Sequence, residues 1–249
     1  MFKNRVKEAF PYLCTPIVGT TKEELLNELQ KVKGKGPDMI EWRVDHFHEI
    51  GNFTKVVEIA DTIKEAIGNV PLLFTIRSVA EGGNPTPLSP EEILKLLTYI
   101  CENSSVDIID YEIQNPEDYT VHLREISQQY GKSLILSYHD FNQTPSNEDL
   151  LSTLKKAEEL RADVAKVAVM PKTYQDVIRL LDVTNQANEV LGIPIATMSM
   201  NNLGAITRMA GWIFGSMIVF TVGANSSAPG QVPIEEIRRI IKMMKEYQQ

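Results

Sequence analysis

Asp163-Val-Ala-Lys-Val-Ala-Val-Met-Pro171 reads as a short strand with both faces buried. Its apolar residues are small and mostly β-branched, and Pro171, which has no amide hydrogen, ends the run. Lys166 breaks the pattern. Strand side chains alternate, so Val164, Lys166 and Ala168 share one face. An ammonium flanked there by apolar residues is costly to keep charged, and desolvation favours the neutral, nucleophilic amine. The alternative is a structural lysine paired with a buried carboxylate.

Outward from this strand the same unit recurs. Strand-like segments cover 12–18, 39–45, 72–78, 106–113, 134–139, 195–200 and 217–222. Helical patterns follow them at 21–33, 53–67, 116–130, 146–160, 174–191, 203–211 and 234–247, and one more starts at Ser89. Thr21-Lys-Glu-Glu24 and Ser89-Pro-Glu-Glu92 have the spacing of capping boxes, the second with proline at the first helical position. Eight strand–helix units in 249 residues, with no linker-like break, predict an α/β fold of one domain over 1–249, a closed (β/α)8 TIM barrel.

Composition narrows the function. An apolar fraction of 43% supports a large core, and a net charge of −8 argues against nucleic-acid binding. No apolar run is long enough to span a membrane, and the first residues lack the apolar core of a signal peptide. Cys14 and Cys101 are expected to be two reduced core thiols of a cytoplasmic protein.

In a barrel, inward residues near the carboxyl ends of the strands carry the chemistry. Glu41, Arg43 and Asp45 alternate with Ile40, Trp42 and Val44 along the second strand. Thr75 shares a face with Arg77, Asp110 with Glu112, and Ser137 with His139. Solvation does not explain so many polar side chains at equivalent places in otherwise apolar strands. Lys166 is suited to attack a ketone and form a Schiff base, whose protonated form acidifies the neighbouring C–H bonds. His139 is suited to move a proton off carbon and onto a leaving oxygen. Arg43, Arg77 and Arg208 are suited to hold a carboxylate or hydroxyls and predict a positive funnel for an anionic substrate. Glu41 is suited to bind hydroxyls, and Glu81 to orient His139 or shield the site. His46-Phe-His48 has metal-ligand spacing, but no further His or Cys partner is evident, so no metal site is expected. No glycine-rich phosphate fingerprint is present.

These stretches together resemble type I 3-dehydroquinate dehydratases. The pieces that carry the resemblance are Glu41-Trp-Arg-Val-Asp45, Phe74-Thr-Ile-Arg77 with Glu81-Gly-Gly83, Ser137-Tyr-His-Asp-Phe141, Ala165-Lys-Val-Ala-Val-Met-Pro171, Met198-Ser-Met200 leading to Thr207-Arg208, Phe214-Gly-Ser216 and Ser227-Ala-Pro-Gly-Gln231. They run in order over nearly the whole chain. The resemblance implies dehydration of 3-dehydroquinate to 3-dehydroshikimate in the shikimate pathway. It implies Lys166 as the imine-forming lysine, His139 as acid and base, Glu81 as its orienting group and Arg208 on the substrate carboxylate. Glu41, Arg43, Arg77, Ser227 and Gln231 are implied to hold hydroxyls or the carboxylate. It implies no metal and no organic cofactor, because the lysine supplies the electron sink, and it implies a homodimer.

Asn201, Thr207 and Ser226 depart from the commoner family residues, where Gly, Ser and Ala are frequent. Asn tolerates positive φ better than most residues, so effects on loop dynamics rather than reaction type are expected. The small residues from 226 to 231 are expected to form a lid. Two other readings stay open: an aldolase-like barrel using the same lysine, and a barrel that only binds a small acid.

Overall fold

A computed structural model describes residues 10–225 and 228–247 of the chain. Among these residues eight parallel strands alternate with eight α-helices: β1 (Tyr12–Ile17), α1 (Lys22–Lys33), β2 (Met39–Arg43), α2 (Phe53–Ile67), β3 (Leu72–Thr75), α3 (Pro90–Asn103), β4 (Ile108–Glu112), α4 (Glu117–Gln129), β5 (Ser133–Asp140), α5 (Asn147–Glu159), β6 (Val164–Val169), α6 (Tyr174–Val190), β7 (Ile195–Ser199), α7 (Ala205–Ala210), β8 (Ile218–Phe220) and α8 (Ile234–Glu246). Each strand pairs with its sequence neighbour, and β1 pairs with β8. The cylinder closes where the Met217 amide donates to the Ile195 carbonyl at 2.7 Å and Ser216 bridges Ile195. The chain is a single-domain (β/α)8 barrel, as the repeat predicts.

The helices start where their caps dictate. Ser89 and Glu92 form a complete capping box at α3. At α1 only half of the expected box forms: Thr21 accepts from the Glu24 amide, but the Glu24 carboxylate turns to the amide and hydroxyl of Thr20. Apolar helix faces pack onto the outward strand residues, with Trp42 edge-on to Phe47 and Phe74. Cys14 and Cys101 are buried and unpaired thiols.

The inward residues are layered. Nearest the amino-terminal ends lie Met39, Leu73, Ile108, Ile135 and Val164, all apolar and buried. Two residues further on, the same face carries Glu41, Thr75, Asp110, Ser137 and Lys166. Strand register sets these polar groups side by side, with Thr75 opposite Asp110 and Ser137 opposite Lys166. The barrel therefore has an apolar floor that stabilises the fold and a polar layer at the site end.

Two strands end earlier than their pattern predicts. Asp45 lies not in β2 but in a 3-10 turn, Val44–His46, and Arg77 lies beyond β3. The reason is Asp45 itself. Its carboxylate accepts from Arg43 Nε and Nη2 at 2.8 Å each, from the Arg77 amide at 3.3 Å and from the Asn84 amide at 3.0 Å. Turning the chain satisfies three donor groups that a straight strand would leave without this acceptor.

Candidate active site

Lys166 comes from the middle of β6 and is 4% exposed. Its ammonium does not end among apolar groups alone. Nζ donates to Asp110 Oδ2 at 3.1 Å and sits 4.2 Å over the centre of the Phe220 ring. The lysine is thus both inward-facing, as its strand position predicts, and paired with a buried carboxylate.

Asp110 is the centre of a wider network. Its Oδ1 accepts from Arg77 Nη2 at 2.5 Å and from the Ser137 hydroxyl at 2.6 Å. Arg77 also reaches Glu112 at 3.0 Å, the Ser137 hydroxyl at 2.9 Å and Glu81 at 3.5 Å. Burial works against ionising Asp110, but Arg77, Lys166 and the Ser137 hydroxyl prevail and hold its carboxyl down at about 2.

Glu81 sits in a short turn, Val79–Glu81, after β3. Gly83 packs against the Arg77 carbonyl so closely that a Cβ would overlap it, which fixes the turn beside Arg77. From there Glu81 Oε2 reaches His139 Nδ1 at 2.7 Å. Burial and the nearby Glu112 push the Glu81 carboxyl up to about 8. Burial, together with Arg77 and Lys166, pushes His139 well below the ordinary histidine range. Burial thus favours the uncharged form of each partner, and the Glu81 contact at Nδ1 leaves the Nε2 edge of the ring for the cavity. Glu81 Oε1 is buried without a hydrogen-bond partner.

Arg208 comes from α7. The Thr207 hydroxyl accepts from the Ser199 amide at 2.9 Å and donates to the Gly204 carbonyl at 2.7 Å, which ties α7 to the end of β7. Arg208 is 2% exposed, yet among the described residues its guanidinium meets only the carbonyls of Phe220 and Pro229 and the Met198 sulfur, and Nε has no partner there. Burial alone pushes its pKa down to about 10. A buried cation without a carboxylate among the described residues is suited to an anionic ligand.

One cavity, with ≈ 470 Å³ of empty space, brings these groups together. Lys166, His139, Glu81, Glu41, Arg43, Arg77, Arg208 and Gln231 all line it, so eight of the residues singled out from sequence meet in one place. Ser227, the ninth, and Ser226 lie outside the described residues. The expected funnel of three arginines takes another form: Arg77 is paired with carboxylates and Arg43 with Asp45, while Arg208 has no carboxylate partner among the described residues. Glu41 is oriented by the Thr75 hydroxyl at 2.9 Å. Met198, Met200, Phe141 and Phe220 supply apolar walls. Asp110 and Ser137 are the polar groups that residue-by-residue reading left without a role. Their shared inward face was visible, but their contact with Arg77 and Lys166 was not.

The Pro229 carbonyl accepts from the Asn201 amide at 3.2 Å and from Arg208 Nη2 at 3.3 Å. Asn201 has φ 60° and ψ 176°, a backbone region that glycine alone adopts without strain.

Comparison with known proteins agrees with this geometry. The family model described as type I 3-dehydroquinase matches residues 13–248. The 3-dehydroquinate dehydratase of Geobacillus thermodenitrificans is 46% identical over 239 residues, which are 96% of this chain and 93% of that protein. The crystal structure of 3-dehydroquinate dehydratase from Geobacillus kaustophilus superposes with a TM-score of 0.94 at 42% identity, covering 96% of this chain and 93% of that one. A type I 3-dehydroquinate dehydratase from Clostridium difficile, solved with covalently modified comenic acid, has a TM-score of 0.92 at 36% identity, covering 96% and 94%. A barrel whose lysine, histidine–glutamate pair and unpaired arginine share one cavity, matched along almost its full length, belongs to the type I 3-dehydroquinase family.

Proposed function

We propose that the chain converts 3-dehydroquinate to 3-dehydroshikimate and water through an imine on Lys166, with His139 moving the protons. Its family makes it a dehydratase, a carbon–oxygen lyase. The observation that supports the imine route is the arrangement around the cavity: a buried primary amine, a glutamate-held imidazole and an arginine without a carboxylate.

The steps follow from the residues. Arg208 takes the substrate carboxylate, and Glu41, Arg43, Arg77, Ser227 and Gln231 hold the remaining oxygens. Lys166 Nζ passes one ammonium proton to His139 Nε2 and attacks the ring ketone; the former carbonyl oxygen takes a second proton from the nitrogen and the first back from His139, and leaves as water. The resulting iminium draws electron density from the adjacent C–H bond. His139 Nε2 removes that proton and returns it to the departing hydroxyl. Water then hydrolyses the iminium and frees the lysine. Charge and oxidation state balance without a further reactant. The known reaction of the family places this step in the shikimate pathway.

Borohydride reduction in the presence of 3-dehydroquinate, followed by peptide mass spectrometry, tests the proposal. A reduced adduct on Lys166 is expected. Turnover without any such adduct would replace the imine by an enolate route.

Arg208→Gln is expected to raise KM by about 10²-fold with a smaller change in kcat, because a charge-assisted pair is lost in ground and transition state alike. Steady-state kinetics decide it, and an unchanged KM would remove Arg208 from the carboxylate.

The glutamate–histidine pair predicts a pH dependence. Below about 8 the Glu81 carboxyl is protonated and donates to His139 Nδ1, so the ring hydrogen sits on Nε2. Raising the pH through about 8 ionises Glu81, which then accepts from Nδ1–H and leaves Nε2 as a base. The kcat/KM profile is therefore expected to rise toward pH 8. In Glu81→Gln, no carboxyl competes for the proton, and the limb is expected to move to lower pH. A limb that stays in place would show that another group titrates.

A further inference from the structure

The acid network beneath the cavity contains two kinds of carboxylate. Glu81 is hydrogen-bonded to His139. Asp110 is 1% exposed and makes three charge-assisted contacts, to Lys166, Arg77 and Ser137. Asp110 is also the hydrogen-bond acceptor of Lys166 Nζ among the described residues.

We propose that Asp110 is the fixed counter-ion of the Lys166 imine, holding the nitrogen protonated with its N–H directed at Asp110 and its C=N bond toward the cavity. This rests on the imine reading above and adds to it a group that neither the residue-by-residue reading nor the resemblance assigned. Three observations carry it.

The first is charge conservation. An ammonium and a ketone give an iminium and one water, so the nitrogen bears one positive charge before and after. An anion 3.1 Å from Nζ is therefore in place for both cationic states, the ammonium and the iminium, with the nitrogen neutral only in the steps between, and such placement in advance is the condition for electrostatic preorganisation. The second is geometry. Asp110 Oδ2 is on one side of Nζ and the Phe220 ring face lies 4.2 Å from it. An iminium has one N–H, and Asp110 Oδ2 is the acceptor already in place for it. The third is rigidity. Arg77 and Ser137 grip Oδ1, and Ser137 lies directly across from Lys166 in the β5–β6 register. Both held ends belong to barrel strands or to the turn that follows one.

Asp110 is no candidate for the proton carrier, because its neighbours hold it ionised at about 2. The two carboxylates divide the work: Glu81 exchanges protons with His139, and Asp110 stays an anion. Other charged groups face the same nitrogen. Glu41 and Arg43 approach from β2, Arg77 and Glu81 from beyond β3, Glu112 from β4 and His139 from β5. Cys14 on β1 lies close to Lys166 and Asp110, with burial pushing its thiol up, and Arg208 reaches the cavity from α7. Of these groups, Asp110 alone bonds to Nζ among the described residues.

The test is Asp110→Asn, which keeps the shape and removes the charge. Its kcat is expected to fall by about 10²–10³-fold. The alkaline limb of kcat, where the iminium loses its proton, is expected to move down by about one pH unit or more, because an opposite charge within this distance favours the charged form by about that much. A merely structural role would lower the rate without moving the limb. Asp110→Glu keeps the charge that Arg77 needs and serves if the Asn variant fails to fold. There the limb is expected to stay while kcat drops at least about 10-fold, since the carboxylate is displaced by roughly 1 Å. Asn with an unmoved limb, or Glu with wild-type kcat, would overturn the inference. Borohydride trapping of the wild-type enzyme separates the two levels: no adduct on Lys166 defeats the imine reading itself, whereas an adduct with unaltered Asp110 variants defeats the counter-ion alone.

Discussion

Lys166→Met is expected to lower kcat by about 10⁵-fold or more, the scale seen when a covalent nucleophile is removed. That is roughly 7 kcal/mol of transition-state stabilisation. Methionine suits the site because its unbranched chain matches the lysine stem between Val164 and Ala168 and lies well against Phe220. Asp110 loses one partner but keeps Arg77 and Ser137, so no carboxylate is left uncompensated. The variant should therefore fold and still bind substrate through Arg208. Single-turnover measurements together with thermal melting check both halves. A loss below about 10²-fold, with a native melting curve, would mean that the amine is not the nucleophile.

Arg77→Met is expected to cost about 3–5 kcal/mol of stability, because it strands buried charge. Arg77 is 3% exposed and is the cation shared by Asp110, Glu112 and Glu81. Without it, three carboxylates share a buried space with Lys166 as their closest positive charge. For a chain of this size the expected fall in melting temperature is roughly 10 °C. Lysine is no substitute, since a point charge does not span the separated acceptors that the guanidinium fork reaches. The effect has a defined pH dependence. Asp110 is held at about 2 when folded, against the ordinary value of 3.8, so its ionisation stabilises the wild type above 3.8 and that part is lost as pH falls through about 2. The stability gap between wild type and variant should be full at neutral pH and narrow in acid. Denaturant melts at pH 7 and near pH 3 measure it, and equal gaps at both would show that Arg77 contributes by packing rather than charge.

The two variants probe different features of one layer, and that layer shows how far the sequence reading reached. Strand position identified Lys166, His139 and Glu41 as inward-facing, with buried apolar neighbours on both sides of Lys166 and Glu41, while His139 lies between the half-buried Tyr138 and Asp140. The same alternation misjudged Asp45 and Arg77. Both follow a strand in good register, but the pairing of Asp45 with Arg43 and two backbone amides turns the chain before the pattern ends. Alternation reports only which face a residue occupies. It carries no information on which charged groups will meet, since the partners of Arg77 lie 33 and 35 residues away on another strand.

The arginines illustrate the same limit. Three inward arginines in an acidic chain predict a positive funnel, yet Arg77 and Arg43 face carboxylates and Arg208 alone of the three has none among the described residues. Asn201 differs. Its tolerance of left-handed backbone was an expectation from residue type, but with φ 60° and ψ 176° the residue lies outside the left-handed region, in one that glycine alone adopts without strain. How the Pro229 carbonyl uses the Asn201 amide depends on a loop 28 residues later in the chain.

By itself, the sequence determined the eight-unit barrel and the inward face of the site strands, and it singled out Lys166 and His139 as candidates, because period-2 alternation and residue chemistry are local properties. Tertiary structure alone decided which carboxylate faces Lys166, which arginine is left without a carboxylate among the described residues, and that Glu81 meets His139. Those outcomes depend on distances between strands, and a few ångströms in a buried, low-dielectric space separate a proton carrier from a permanent anion.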